Sequence, residues 1–260
     1  MATNPSAPPP QPSQPLQLSQ ESAPLSEGQR LVNTFFAPSK AFTDLRRNAS
    51  WWAPFLIIAI VSVMFIYVVD QKVGFPKVVE NLIQLQPKQA DRIDRLPADQ
   101  RQQVMQRQVT FTRMISYAIP IIALGIYAVF AGVLFATLKF AASADLKYKT
   151  LFALVVYTRL PLLLTTLLAI LSLLAGVSGD GFIIDNPVAT NAGYFIGPDG
   201  SPVLRALLTP LDVFSIWTLV LTAIGITCIS KVKRATAFAV VFGWFAIVVL
   251  ARVAIAAATS

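Results

Sequence analysis

Three charged side chains, Arg159, Asp212 and Arg252, lie within long apolar stretches of the sequence. Charge at such positions can line the path of a solute or ion through a membrane, or hold the headgroup of an acidic lipid. Arg159 also has a structural interpretation, which we favour. It can snorkel toward the headgroups or hydrogen-bond the carbonyl that Pro161 leaves free.

Asp212 and Arg252 are expected at similar depths in the membrane, so Arg252 is a better geometric partner for Asp212 than Arg159 is. Asp212 has a second interpretation as part of a helix cap. Thr209 can serve as the N-cap, followed by a proline at the first helical position and by Asp212 at the third. Arg252 would then snorkel from the last turns of its helix. The sequence leaves both interpretations open.

The sequence offers few of the side chains that enzymes use for catalysis. The sequence contains no histidine, which removes the usual general base and the commonest zinc ligand. Its one cysteine, Cys228, lies in an apolar stretch and can form no intramolecular disulfide. We therefore predict no enzymatic activity, no catalytic residues, no metal site and no cofactor.

The composition is that of a membrane protein. Hydrophobic residues make up 55% of the chain and charged residues 13%, whereas soluble domains carry about 25% charged residues. The net charge of +8 resides in the gaps between apolar stretches, so it indicates membrane topology and no nucleic-acid partner.

Apolar stretches long enough to cross a bilayer predict an all-α membrane protein, a bundle of five transmembrane helices. A polar segment, 70–113, separates the first two crossings and is expected to form short helices at 76–85 and 97–112. A brief interfacial helix should begin at Ser201-Pro202. The five crossings are predicted at about 51–69, 114–138, 151–177, 210–230 and 236–257.

The N-terminal region divides into two parts. Residues 1–28 hold seven prolines and are expected to be a disordered, proline-rich spacer, with a role as a polyproline ligand as the alternative. The membrane domain then spans 29–257. Its first part is an amphipathic segment, divided by Pro38, that can lie among the lipid headgroups or pack onto the helix bundle.

Small residues recur every four positions in the second and fifth crossings. Such stripes let helices approach closely and offer a face for a second copy of the chain. We therefore expect close helix contacts there, and the bilayer itself together with a membrane or cytoplasmic protein as partners. The stripes consist of Ala128, Gly132 and Ala136 in the second crossing and of Ala239 and Gly243 in the fifth.

The charges of the gaps predict an orientation. Basic residues precede the first crossing and fill the second and fourth gaps, while the third gap, 178–209, has Arg205 against three aspartates. The positive-inside rule then places the N-terminus in the cytoplasm and the C-terminus outside. The segment 70–113 disagrees, with eight basic and five acidic residues, but the rule is weaker for longer translocated segments.

Several short motifs together resemble one known family. The segments 35–42 (FFAPSKAF) and 51–54 (WWAP), followed by 157–163 (YTRLPLL), 211–217 (LDVFSIW) and 224–226 (IGI), are similar to the Yip-one domain family of multi-pass membrane proteins, particularly its bacterial branch. The resemblance extends from residue 31 to about 257. The motif residues that carry it are Phe36, Pro38, Phe42, Trp52, Pro54, Phe214, Trp217 and Gly225.

The resemblance implies five helices, a cytosolic N-terminus and a non-enzymatic role in the cell membrane, here a bacterial inner membrane. Eukaryotic relatives bind Rab-type GTPases, but the Asp-Leu-Tyr-Gly-Pro motif typical of their cytosolic region does not occur in this sequence. The leading hypothesis is therefore a protein that binds or organises protein or lipid partners. The alternative is a small-solute or ion permease or channel that uses Arg159, Asp212 and Arg252.

Overall fold

The computed structural model describes residues 23–197 and 199–259, so most of the predicted disordered tail lies outside the described residues. The described chain is helical and has no strand. Its elements are α1 (Glu27–Phe36), α2 (Pro38–Asp44), α3 (Trp52–Lys72), α4 (Phe75–Gln84), α5 (Pro87–Asp94), α6 (Ala98–Ala141), α7 (Tyr148–Thr158), α8 (Leu162–Leu174), a 3₁₀ helix (Ala192–Phe195), α9 (Pro202–Leu208), α10 (Val213–Ile229) and α11 (Arg234–Thr259).

Four described segments are long and apolar enough to cross a membrane, namely α3, α6, α7 with α8, and α11. Helix α10 has 17 residues and makes a fifth crossing if it is counted with α9, to which it lies at 44°. The predicted all-helical membrane bundle is thus confirmed. We call the end where α3 and α8 finish the loop end, and the end where α3 begins the tail end.

Helix α6 differs from the prediction. The sequence suggested a separate helix at 97–112 followed by a crossing at 114–138, whereas the structure has one helix of 44 residues. At 1.5 Å per residue it is about 66 Å long, roughly twice the thickness of a hydrocarbon core. No glycine or proline interrupts the chain near Arg113, and this residue forms an ion pair with Asp70 at the end of α3. The helix therefore continues beyond the bundle.

The third crossing is broken, although the sequence predicted one continuous stretch. Helix α7 ends at Thr158 and α8 begins at Leu162. Pro161 has no N–H to donate, so the carbonyl of Tyr157 accepts instead from the N–H of Leu160 at 3.1 Å. The break leaves Arg159 as the C-terminal cap residue of α7.

Helices α1 and α2 pack onto the bundle, which is the second of the two predicted alternatives. Ser26 caps α1 reciprocally with Gln29, and Pro38 begins α2 as the sequence suggested. Phe42 and Leu45 are buried in the main core with residues of α7 and α10. The segment is therefore part of the folded bundle.

The two glycines of the small-residue stripes do not make the predicted close helix contacts within the described chain, and contact of these faces with a second copy stays a prediction. A Cβ atom at Gly132 or Gly243 would meet nothing within 4 Å. The close approach occurs instead at Gly225 of α10, which packs against Leu154 of α7. Ala136, Ala239 and Gly243 are exposed, whereas Ala128 and Gly132 are half-buried.

Candidate functional site

Arg159 packs against two aromatic rings of α6. Its guanidinium carbon lies 5.4 Å from the ring centre of Tyr127 and 5.0 Å from that of Phe130, distances at which a cation is attracted by a ring face. Its Nε is buried and has no hydrogen-bond partner among the described residues. The predicted bond to the carbonyl upstream of Pro161 does not form, because Leu160 occupies that carbonyl.

Asp212, and not Thr209, caps α10. The carboxylate of Asp212 accepts hydrogen bonds from the backbone N–H groups of Phe214 at 2.9 Å and Ser215 at 3.0 Å. Its second oxygen accepts from the hydroxyl of Thr190. Thr209 instead ends α9. The predicted cap was thus placed three residues early, because α9 continues to Leu208 and turns before α10 begins.

Asp212 and Arg252 line one polar chamber at the loop end. The chamber has a volume of about 530 Å³ and lies among α3, α8, α10, α11 and the loop before α9. Arg159 is not among its lining residues. The structure therefore brings together two of the three charges that the sequence singled out, and it separates the third.

Arg252 lines this chamber together with two carboxylates, those of Asp185 and Asp212, but forms no ion pair with either within the described structure. Its charge acts on Asp185, which the sequence marked only as a loop charge. The surrounding protein raises the pKa of Asp185, and the positive charge of Arg252 partly opposes that rise. The predicted pairing of Arg252 with Asp212 is not formed.

An apolar cleft of about 370 Å³ adjoins the chamber between α3 and α6. Chamber and cleft share four lining residues, and the cleft is otherwise lined mainly by apolar side chains of α3 and α6. Ile115 and Ile119, on the cleft wall, are exposed on the membrane-facing surface of α6. The four shared residues are Phe65, Thr166, Ile184 and Asp185.

Helix α4 fixes the loop that forms one side of the chamber. The side-chain amide of Asn81 donates to the carbonyls of Gly179 at 3.0 Å and Phe182 at 2.9 Å. Lys77 forms an ion pair with Asp180 at 3.2 Å, and this hydrogen bond lowers the pKa of Asp180. Nothing in the sequence points to Asn81, because an asparagine in a polar segment gives no signal of a partner about one hundred residues away.

A second polar group was also missed, and we call it the N-terminal cluster: Glu27, Arg30, Asp44 and Tyr157. Arg30 is 2% exposed, and its Nε donates to Asp44 at 2.7 Å. Tyr157 of α7 donates its hydroxyl proton to Glu27 at 2.9 Å. Burial tends to lower the pKa of Arg30, but Asp44 and Glu27 leave it raised. The spacing of Glu27 and Arg30 by three residues was the available signal.

The motif residues divide between core and surface. Phe42, Pro54 and Gly225 are buried, and Trp217 lies edge-on to Phe35 with ring centres 5.9 Å apart. Pro38 begins α2, and Phe214 is half-buried in the first turn of α10. In contrast, Phe36 and Trp52 are exposed on the surface.

Broken and long apolar helices around polar clusters define a multi-pass helical membrane protein. The model of the Yip1 domain matches residues 32–255. This chain belongs to the Yip1 domain family, as the sequence resemblance predicted. Members of the family are generally non-enzymatic. No curated protein and no solved structure matches the chain.

Proposed function

We propose that this protein is a non-enzymatic membrane protein that binds a phospholipid at its loop end. The observation that carries the proposal is the contact between the polar chamber and the apolar cleft through four shared residues. A phospholipid has the same division, with a polar headgroup joined to an acyl chain. Sites for small molecules commonly combine apolar walls with a few polar groups that fix orientation.

The position of the cleft supports this proposal. Its α6 wall extends from Phe111 to Ile119, on both sides of Arg113, whose ion pair with Asp70 marks the change from polar to apolar surface. A lipid with its headgroup in the chamber would therefore lie at the depth of one bilayer leaflet. An acyl chain could enter along the exposed side chains of Ile115 and Ile119.

Lipid binding can be tested with a substitution that fills the junction of the chamber and the cleft. Thr166 of α8 lines both spaces, so Thr166→Trp should fill the boundary. We expect native mass spectrometry of the purified protein to detect bound phospholipid, and the variant to retain about tenfold less, a change of ~1.4 kcal/mol. Leu171→Trp is the matched control, because Leu171 lies on the exposed face of the same helix.

Absence of phospholipid from the unaltered protein, or equal retention by the Thr166→Trp variant, would reject lipid binding at this site.

The permease alternative is tested with the protein reconstituted in vesicles. We expect no flux of ions or small solutes, since Arg159 is outside the chamber and packs against Tyr127 and Phe130. Flux that Arg159→Leu abolishes would instead support the permease.

The orientation belongs to the same proposal. We infer that the loop end is extracytoplasmic and the N-terminus cytoplasmic, because the short gaps at the tail end are basic, whereas the eight basic residues of segment 70–113 at the loop end are spread over a longer segment with five acidic ones. In a Cys228→Ser background, Asp199→Cys should react with an impermeant thiol reagent on intact cells. Lys147→Cys, in the gap before α7, should react only after lysis. The reverse pattern would overturn this orientation. The cell membrane of a bacterium is the expected location.

A further inference from the structure

The polar chamber holds two opposite charges that are free of close ion pairs within the described structure. Arg252 and Asp185 both line it, and the charge of Arg252 partly opposes the rise in the pKa of Asp185, yet no ion pair of 4 Å or less joins them. Asp212, the other acidic residue, is already occupied by two backbone N–H groups and by Thr190. The chamber therefore has one positive and one negative pole.

Neutral hydrogen-bonding groups line the same chamber as these poles. The hydroxyl oxygen of Thr165 is buried, lines the chamber and has no partner among the described residues. Asn186 and Asn191 form hydrogen bonds with each other, at 2.7 and 3.4 Å, and so satisfy part of each other's hydrogen-bonding capacity. A buried hydroxyl without a partner is costly, and a polar ligand can satisfy it.

We propose that the chamber selects the zwitterionic headgroup of an aminophospholipid, with the phosphate at Arg252 and the primary ammonium at Asp185. This inference rests on the proposed lipid-binding function and specifies its ligand. The acyl chain of the same lipid lies in the apolar cleft. A guanidinium group matches phosphate oxygens, and a carboxylate accepts hydrogen bonds from an ammonium group.

Other headgroups fit the two poles less well. A purely anionic headgroup has no positive group for Asp185, and its charge is repelled by both carboxylates of the chamber. A choline headgroup is zwitterionic, but its quaternary nitrogen carries no N–H donor for Asp185. Asp185 is exposed, and its carboxylate can accept hydrogen bonds only from a headgroup nitrogen that carries N–H groups.

The test measures which lipid the protein retains when several compete. The protein is placed in nanodiscs that contain equal amounts of phosphatidylethanolamine, phosphatidylcholine and phosphatidylglycerol, and mass spectrometry identifies the lipid that stays bound. The unaltered protein should retain phosphatidylethanolamine about tenfold over phosphatidylcholine. Asp185→Asn should remove this preference and leave phosphatidylcholine retention unchanged, whereas Asp185→Glu should keep the preference. Arg252→Gln should lower the retention of all three lipids. Asp199→Asn, outside the chamber lining, is the matched control and should change nothing.

The outcomes separate this inference from the proposed function. Equal retention of the ethanolamine and choline lipids would overturn the headgroup selection while lipid binding stands, and no retention would overturn both. Soluble glycerophosphoethanolamine provides a further arm. It should fail to displace the bound lipid at the same molar concentration, because it has no acyl chain for the cleft. If glycerophosphoethanolamine displaced the bound lipid as effectively as the intact lipid does, the cleft would be rejected as part of the site.

Discussion

Replacement of Arg30 by methionine will lower the free energy of unfolding by about 3–5 kcal/mol, the cost of removing one partner from a buried charge group. Arg30 is 2% exposed and joins Asp44 at 2.7 Å and Glu27 at 3.3 Å. Without it, the carboxylates of Glu27 and Asp44 lose the cation that they share. Denaturant unfolding of the purified protein in detergent micelles measures the change.

Arg46→Met is the matched control, since Arg46 lies on the same N-terminal segment and is exposed. It should change the free energy of unfolding by less than about 0.5 kcal/mol. Combining Arg30→Met with Asp44→Leu should recover part of the loss, because the more deeply buried carboxylate is then removed too. A loss below about 1 kcal/mol in the single variant would mean that the N-terminal cluster does not hold α1 and α2 on the bundle.

Substitution of Gly225 by alanine is expected to lower the free energy of unfolding by about 1–3 kcal/mol, the usual cost of overpacking. A Cβ atom at this position would lie 2.2 Å from Cδ1 of Leu154, with Cδ2 at 2.9 Å and Cγ at 3.0 Å. The whole branched end of the leucine would have to move. The neighbouring hydrogen bond between Thr222 and Thr158, at 3.0 Å, restricts how far α10 and α7 can separate.

Gly243→Ala provides the comparison, because a Cβ there meets nothing within 4 Å. Its stability should be unchanged or higher by up to about 1 kcal/mol, since alanine favours helix more than glycine does. Leu154→Ala should make the Gly225→Ala change less costly, and a double-mutant cycle measures this coupling. Equal stability of the two glycine variants would contradict the close contact between α7 and α10.

The apolar stretches predicted the membrane helices well because a bilayer crossing imposes a minimum length on the sequence. The ends of the helices were harder to predict than the helices themselves. Thr209 and Asp212 both fit an N-cap, and which of them caps α10 depends on where α9 ends. Helix α9 extends to Leu208 and takes Thr209 as its C-terminal cap, which leaves Asp212 to cap α10.

The polar sites were predicted only in part, because a sequence reports which charges are unusual but not which neighbours they meet. Asp212 and Arg252 do share a chamber. Arg159, however, lies against aromatic rings contributed by α6, and Asp185 was undervalued because it lies in a loop. Arg30 looked like an ordinary topology signal until its burial against Asp44 was apparent.

The N-terminal cluster also sets an order of events during biosynthesis. Glu27 and its hydrogen-bond partner Tyr157 are 130 residues apart, and chains grow at about 5–20 residues per second. Roughly 6–26 s therefore pass between the synthesis of the first residue and that of the second. Throughout this interval α1 and α2 have no α7 to dock on. The first segment of the domain to be made is thus among the last to reach its final place.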